Sequence, residues 1–286
     1  MILQSEIRSA LVQLGLAEKS VCVHSSIRSF GDRLENGLCG LLNSFLDCDC
    51  TVMAPTFSKM FMQQPDGLYQ PAQNGTAYGD EIFADPFEYD PSLIYSPDTS
   101  LIATNFMGAF PTFMVGQPGR VRGAHPINSF TAIGPKAHQL IDGQTWRNVY
   151  APFEALCEDD GYILLLGVHL DHTTILHYAE QLAGRTLLVR WANDANGQIQ
   201  PCFIGTCSLG FQNFYPYVKN LEQQITVGSS LWRCFKAKDL TECCAQVIRE
   251  IPEVSHCDNP NCLRCNHMAL GGPILPSDFW EKGGQL

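Results

Sequence analysis

Four strings in this chain combine residue types that can move protons, hold anions or bind metal. The first is RVRGAHPINSFTAIG, residues 120–134, in which His125 precedes Pro126 and is flanked by Gly123 and Ser129. Proline disfavours the helical region for its predecessor, so His125 is expected on extended backbone. An imidazole titrates near neutrality, which suits His125 to take a proton from an attacking amine or hydroxyl. The second is GVHLDHTTILHYAE, residues 167–180. His177 and Glu180 are spaced i, i+3 and share one face of a predicted helix. Asp171 falls just before that helix, at the mouth where strand ends collect in α/β folds, and is placed to orient and charge-stabilise His125. His169, Asp171, His172 and His177 also permit a metal-dependent hydrolase reading, although the spacing is not that of an H-E-x-x-H zinc site.

The third string, VHSSIRSFG (23–31), ends a strand in small hydroxyl residues before a glycine. Free backbone N–H groups at such a turn attract phosphate, and serines add donors. It lacks both the G-K-[ST] of a nucleotide-triphosphate loop and the G-x-G-x-x-G of a dinucleotide fold. The fourth, HCDNPNCLRCNH (256–267), offers Cys257, Cys262 and Cys265 with His256 or His267 as zinc ligands. With one C-x-x-C pair and irregular spacing, a cysteine-rich surface loop is the expectation. Most of the other cysteines, Cys22, Cys157, Cys202 and Cys207 among them, sit in apolar strings and are expected as reduced core residues.

The elements that must position these strings are legible in outline. A surface helix over Ser5–Leu16 turns Ile7, Leu11 and Leu14 inward. Strands are expected at Ser20–His24, Thr51–Ala54 and Tyr162–Gly167, and helices at Gly37–Leu46, Pro135–Ile141, Thr174–Ala183 and Asp239–Ile251. A threonine or Asp171 is expected to cap the helix over Thr174–Ala183. Asp194-Ala195-Asn196-Gly197 signals a hairpin between Arg185–Ala192 and Ile199–Gly205. Residues 60–119 predict long loops of the kind that serve active sites. Together these give an α/β chain: a single domain over 1–286 around a central mixed β-sheet, with flanking helices and long active-site loops. Residues 251–286 form a cysteine-rich tail packed on it.

The 286 residues carry a net charge of −11 and 13 cysteines. That charge argues against nucleic acid held through a basic patch. The longest apolar run, Tyr162–Val168, is too short to span a bilayer, so no membrane partner is expected. The amphipathic N-terminus does not read as a signal peptide, so a cytosolic protein, monomer or homodimer, is expected, and an odd cysteine count in a chain of this size argues against a secreted disulfide scaffold. Between Met60 and Gly119 there is no Lys, Arg or His, but there are Asp66, Asp80, Glu81, Asp85, Glu88, Asp90 and Asp98. Such a stretch can line a cleft for a cationic small molecule.

In order along residues 5–250, these strings resemble the aminoglycoside 3-N-acetyltransferases, antibiotic acetyltransferases outside the GNAT fold. VHSSIRSFG is similar to that family's V-H-S-S-L-x-S-x-G, and TVMAPTFS (51–58) to its T-L-x-M-P-T-F-T. PFEYDPSLIYSPDTS with Met107-Gly108 looks like its P-F-D-P-x-x-S-P-T and M-G. RVRGAHPINSFTAIG resembles V-R-S-x-H-P-x-x-S-x-x-A-x-G, and GVHLDHTTILHYAE resembles G-V-x-x-D-x-x-T-x-L-H-x-A-E. The resemblance implies acetyl-CoA as co-substrate, with no metal required, and direct transfer to an amine of an aminoglycoside or a related compound. It puts the catalytic histidine on His125, with Asp171 and Glu180 as the active-site carboxylates. The segment His24, Ser25, Ser26, Ile27, Arg28, Ser29 and Phe30 would hold the pantetheine and pyrophosphate of CoA. Asp80, Glu81, Asp90, Ser129 and Thr174 are the expected acceptor contacts, with Ser25, Ser26 or Thr174 as oxyanion donors. Three departures stand out: Gly123 replaces the serine before H-P, Ala151-Pro152 replaces S-P, and Arg147, Asn148 and Val149 occupy the place of an acid thought to bind antibiotic ammonium groups. The lost acid favours a non-antibiotic amine as the alternative acceptor.

Overall fold

The apolar strings SVCVHS, TVMAP and YILLL are buried on both faces, as the inner strands of a helix-covered sheet must be. In the computed structural model, which describes residues 1–63, 90–104, 106–185, 187–205 and 207–265, they form β1 (Ser20–Ser25), β2 (Thr51–Pro55) and β6 (Tyr162–Leu166). β1 runs parallel to both neighbours, pairing Cys22 with Met53 on one side and with Ile163 on the other. β4 (Val121–Arg122) and β5 (Phe130–Ile133) extend one side of the sheet, and β9 (Gln223–Val227) and β10 (Ser230–Lys236) extend the other. The order β4-β5-β2-β1-β6-β10-β9 is mixed, because β5, β10 and both edge strands are antiparallel to their neighbours.

Side-chain alternation along the strands splits the core into two layers. Val21, Val23, Val52, Leu164, Leu166 and Trp232 pack under α1 (Gln4–Gln13), α2 (Gly37–Leu46) and α3 (Ala109–Met114). Cys22, Met53, Ile163, Leu165 and Phe235 face α4 (Ala137–Ile141), α5 (Ala151–Glu158), α6 (Ile175–Leu182), a short turn α7 (Tyr215–Val218) and α8 (Ala237–Glu250). A second sheet, β3 (Met62–Gln63), β7 (Leu188–Asn193) and β8 (Ile199–Ile204), stands beside the first. Its β7–β8 hairpin turns where the D-A-N-G tetrapeptide signals it: the Asp194 carboxylate accepts from the Asn196 and Gln198 N–H groups.

Most expected elements lie within three residues of their predicted bounds. The β9–β10 hairpin and α5 were not expected. In β10 the apolar residues come as adjacent pairs, Leu231-Trp232 and Cys234-Phe235, rather than in strand alternation, and α5 opens on Ala151-Pro152, which reads locally as a loop although proline suits the first helical turn. Thr174 precedes α6 but makes no side-chain cap bond, and Asp171 pairs with His172 instead. Asp66, Asp80, Glu81, Asp85 and Glu88 lie outside the described residues. Among the described residues, no helix is long and apolar enough to cross a membrane.

Candidate active site

The parallel strands β1, β2 and β6 all deliver their carboxyl ends to one edge of the main sheet, where α/β folds collect ligands. A cavity of about 320 Å³ opens there. Its walls come from the segment after β2 (Phe57, Lys59, Met62), the turn before α3 (Phe106, Met107), the loop after β4 (Ile127, Asn128), the β6–α6 connection (Asp171, His172, Thr174), α6 (His177) and the second sheet (Leu188, Arg190, Ile204). Gly205, Ser208, Leu209 and Arg264 close the remaining side.

His177 and Glu180 are the titratable pair on this wall. The amphipathic α6 turns Ile175, Leu176 and Ala179 into the core and carries the pair on the same turn. His177 Nδ1 lies 2.8 Å from Glu180 Oε2, and the carboxylate is only 1% exposed. A carboxylate accepts, so Nδ1 carries the hydrogen and the lone pair of the neutral ring sits on Nε2. Nε2 makes no hydrogen bond among the described residues. Phe211 meets the ring edge-on at 4.7 Å between centroids, and Tyr150 lies nearly parallel to it. Gly205 backs the imidazole so closely that a Cβ there would come 2.6 Å from the ring carbons and would collide with the Tyr150 hydroxyl. The ring is therefore held on three sides, and the carboxylate fixes its tautomer.

His125 is not on the cavity wall. It is 0% exposed, and both ring nitrogens are engaged by backbone. Nδ1 accepts from the N–H groups of Ile127 (3.2 Å) and Asn128 (2.9 Å), which leaves Nε2 to donate to the Phe203 carbonyl at 2.8 Å. Burial pushes its pKa down to about 3. A neutral imidazole with both nitrogens committed has no lone pair for a substrate proton. His125 instead ties the loop bearing Ile127 and Asn128 to β8, and so joins two walls of the cavity.

The other expected contacts divide. Asp171 and Thr174 line the cavity beside His177. Ser129 does not: its hydroxyl accepts from Arg122 Nε and donates to the Thr56 carbonyl. Arg122 is buried in turn, bonding the carbonyls of Thr56, Thr99 and Leu101. Its pKa is lowered by desolvation. Asp90 is exposed and caps its own turn through Ser92, whose N–H and hydroxyl hold the carboxylate below its usual pKa. Asp80 and Glu81 fall outside the described residues.

None of residues 24–30 lines this cavity, yet they adjoin it. Gly108, next to the cavity residue Met107, packs against the Ser25 carbonyl. Ser29 is tied to the Ser26 carbonyl and to the Ser230 hydroxyl. Phe30 is sealed edge-on against Trp232 in the core, and His24 is buried beside Cys22; burial, with the nearby His172 charge, lowers the His24 pKa to about 3. Phe30 and His24 therefore shape the turn from beneath. Ser25 Oγ is buried without a hydrogen-bond partner, a donor left over at the strand end, and Arg28 is exposed.

His169, Asp171, His172 and His177 do not converge as a metal-ligand set among the described residues. Asp171 bonds His172, and His177 bonds Glu180. The side chains that do converge there are Cys207, Cys257, Cys262 and Cys265. His267 lies outside the described residues, and Cys207 is not in the core.

The statistical model of the aminoglycoside 3-N-acetyltransferase family matches residues 22–249. The chain belongs to that family. Aminoglycoside N(3)-acetyltransferase VIII of Streptomyces fradiae is 43% identical over 79 residues, 27% of this chain and 28% of that protein. The aligned stretch thus spans little more than a quarter of this curated relative. The crystal structure of the aminoglycoside acetyltransferase AAC(3)-IVa apoenzyme superposes with a TM-score of 0.71 at 23% identity, covering 93% of this chain and 96% of that one. AAC-IIIb, as a binary complex with CoASH, superposes with a TM-score of 0.68 at 21% identity, covering 87% and 96%. At these identities the two structures establish the fold: the 3-N-acetyltransferase family architecture is the mixed sheet with flanking helices described above.

The sequence reading passed over several cavity residues of this family member. Lys59, Asn128, Arg190, Gly205 and Arg264 come from five separate segments, and no spacing rule links them. The signal for His177 was present in its i, i+3 carboxylate, whereas His125, the histidine of the H-P string, lies off the cavity.

Proposed function

We propose that this protein transfers the acetyl group of acetyl-CoA to an amino group of an aminoglycoside or a related amine, with His177 as general base. The observation that carries the reading is the His177–Glu180 pair: a fixed imidazole on a cavity wall, its Nδ1 bonded to a buried carboxylate at 2.8 Å and its Nε2 unbonded. Nε2 takes the proton that the acceptor nitrogen loses as it attacks the thioester. The Glu180 carboxylate then stabilises the imidazolium, as an opposite charge at hydrogen-bond distance does. Asp171, at the cavity rim, attracts a cationic acceptor, and Asn128 and Thr174 add polar contacts. The turn Ser25–Ser29 holds the CoA arm through the unpaired Ser25 hydroxyl.

Family membership and the CoASH-bound neighbour support the donor. The Streptomyces fradiae relative's activity supports an aminoglycoside as acceptor. A different amine is the second reading. Arg147-Asn148 stands where the resemblance expects an acid.

Release of free CoA thiol, measured with acetyl-CoA and a panel of 2-deoxystreptamine aminoglycosides and simple diamines, tests both. Turnover on aminoglycosides supports the first acceptor, and turnover on other amines alone supports the second. No thiol release with any amine, from a folded protein that binds CoA, would refute amine acetylation.

A further inference from the structure

Cys207, Cys257, Cys262 and Cys265 place their sulfurs within 4.8 Å of one another. They come from two distant stretches. Cys207 sits in the loop between β8 and the turn Phe211–Phe214, and the other three follow α8 as C-x4-C-x2-C. Tetrahedral zinc with Zn–S of about 2.3 Å sets sulfurs about 3.8 Å apart, so the cluster needs only a small contraction to close on one ion.

We propose that these four thiolates bind one Zn²⁺, which clamps the segment after α8 onto the loop that closes the cavity. Four sulfur donors select a soft, tetrahedral ion, and a complete set of four leaves no open position for substrate, so the site is structural rather than catalytic. Binding releases the thiol protons to solvent, and the ion takes four sulfur lone pairs with no change in oxidation state. The backbone is arranged around the sulfurs. The Cys257 N–H points at Cys265 Sγ (3.5 Å), the kind of outer-shell donor that steadies a metal-bound thiolate. Asn259 shapes the intervening loop by accepting from the Asn261 and Cys262 N–H groups.

Both sides of the clamp are already in contact. Asn213 donates to the Val254 and His256 carbonyls. Gly210 lies so close to the Ser255–His256 backbone that a Cβ would not fit. Ser208, Leu209 and Arg264, each within two residues of a ligand cysteine, line the cavity. The metal therefore fixes one wall of the acceptor site without touching the reaction.

The test is metal analysis of the whole chain purified under reducing conditions without chelator. One zinc per chain is expected, falling at least five-fold in Cys257→Ser and Cys262→Ser and unchanged in Cys243→Ser, whose thiol lies on α8 outside the cluster. Because a cluster variant that misfolds would lose zinc trivially, Co²⁺ is also titrated into wild-type protein stripped of metal. Thiolate-to-cobalt charge-transfer bands and the visible bands of a tetrahedral tetrathiolate site are expected at one equivalent. Hydrogen exchange across residues 207–213 is expected to quicken on chelation and to recover with zinc. A folded, reduced wild-type chain that takes up neither zinc nor cobalt would overturn the proposal. So would full metal retention in both cluster variants, or a disulfide among the four cysteines in freshly purified protein. None of these readouts depends on acetyl transfer.

Discussion

His125 and His177 are both buried histidines at the same edge of the same sheet, and they are built for opposite ends. His177 spends one nitrogen on a carboxylate and lines a cavity. His125 spends both on backbone and is sealed from solvent. Partner identity separates them: the carboxylate engages one nitrogen of His177, whereas backbone groups occupy both nitrogens of His125. A histidine is thus assigned a role by what occupies its nitrogens rather than by its neighbours in sequence.

The largest effect that sharpens this comparison is expected from His177→Asn. Loss of a general base costs about 10²–10⁴ in rate, and the variant should lose at least that much kcat while its affinity for CoA, measured calorimetrically, stays within about two-fold. A variant that keeps its turnover would remove His177 from the reaction. Glu180→Gln keeps a hydrogen-bond acceptor but removes the charge that supports the imidazolium. A drop of about 10²-fold in kcat is expected, read in the same thiol assay, with little change in melting temperature.

His125→Ala should act on stability instead. It strands the Phe203 carbonyl and two N–H groups, and unpaired buried groups cost about 1–3 kcal/mol each. A loss of about 3 kcal/mol, seen as a clearly lower denaturation midpoint, is expected, with turnover well below the melting range within about ten-fold of wild type. A melting curve like wild type combined with a 10³-fold loss of turnover would reverse the two roles.

Acid provides a subtler separation. The folded pKa of His125, lowered to about 3, lies below the ordinary 6.5. The unfolded chain therefore binds the extra proton first, and the stability due to this ring is complete above pH 6.5 and lost as pH falls toward 3. The slope for one such group is at most about 1.4 kcal/mol per pH unit. His24, lowered to about 3 as well, adds to the same window. Chemical denaturation at pH 7.5, 6 and 5 should show this decline, and His125→Asn should flatten it relative to wild type. An unchanged slope would mean that the ring accepts protons freely. The smallest effect is expected at Asp90, whose carboxylate is committed to Ser92: Asp90→Asn should change acceptor KM less than about two-fold.

The sequence reading located the parallel core because its strands are short apolar strings that tolerate no other placement. The α2 helix falls on Gly37–Leu46 in both sequence and structure. What stayed hidden is what depends on distant partners. Nothing local in H-P-I-N-S says that a carbonyl from β8 meets His125, or that Arg122 takes Ser129 away from substrate. Cys207 reads as a core cysteine until the segment after α8 brings three more sulfurs to it. His177–Glu180 was legible as a pair because helix geometry alone enforces it. Its place on the cavity needed β8 and Gly205 behind it.

The second sheet lends the cavity a wall separate from the His177–Glu180 pair. Leu188 and Arg190 are two residues apart on β7, and Leu188 lies opposite Ile204 on β8. A pleated ribbon shows every other side chain to the same side, so those positions form an independent panel. Substitutions there can reshape the cavity one alternate residue at a time while leaving the His177–Glu180 turn of α6 as it is.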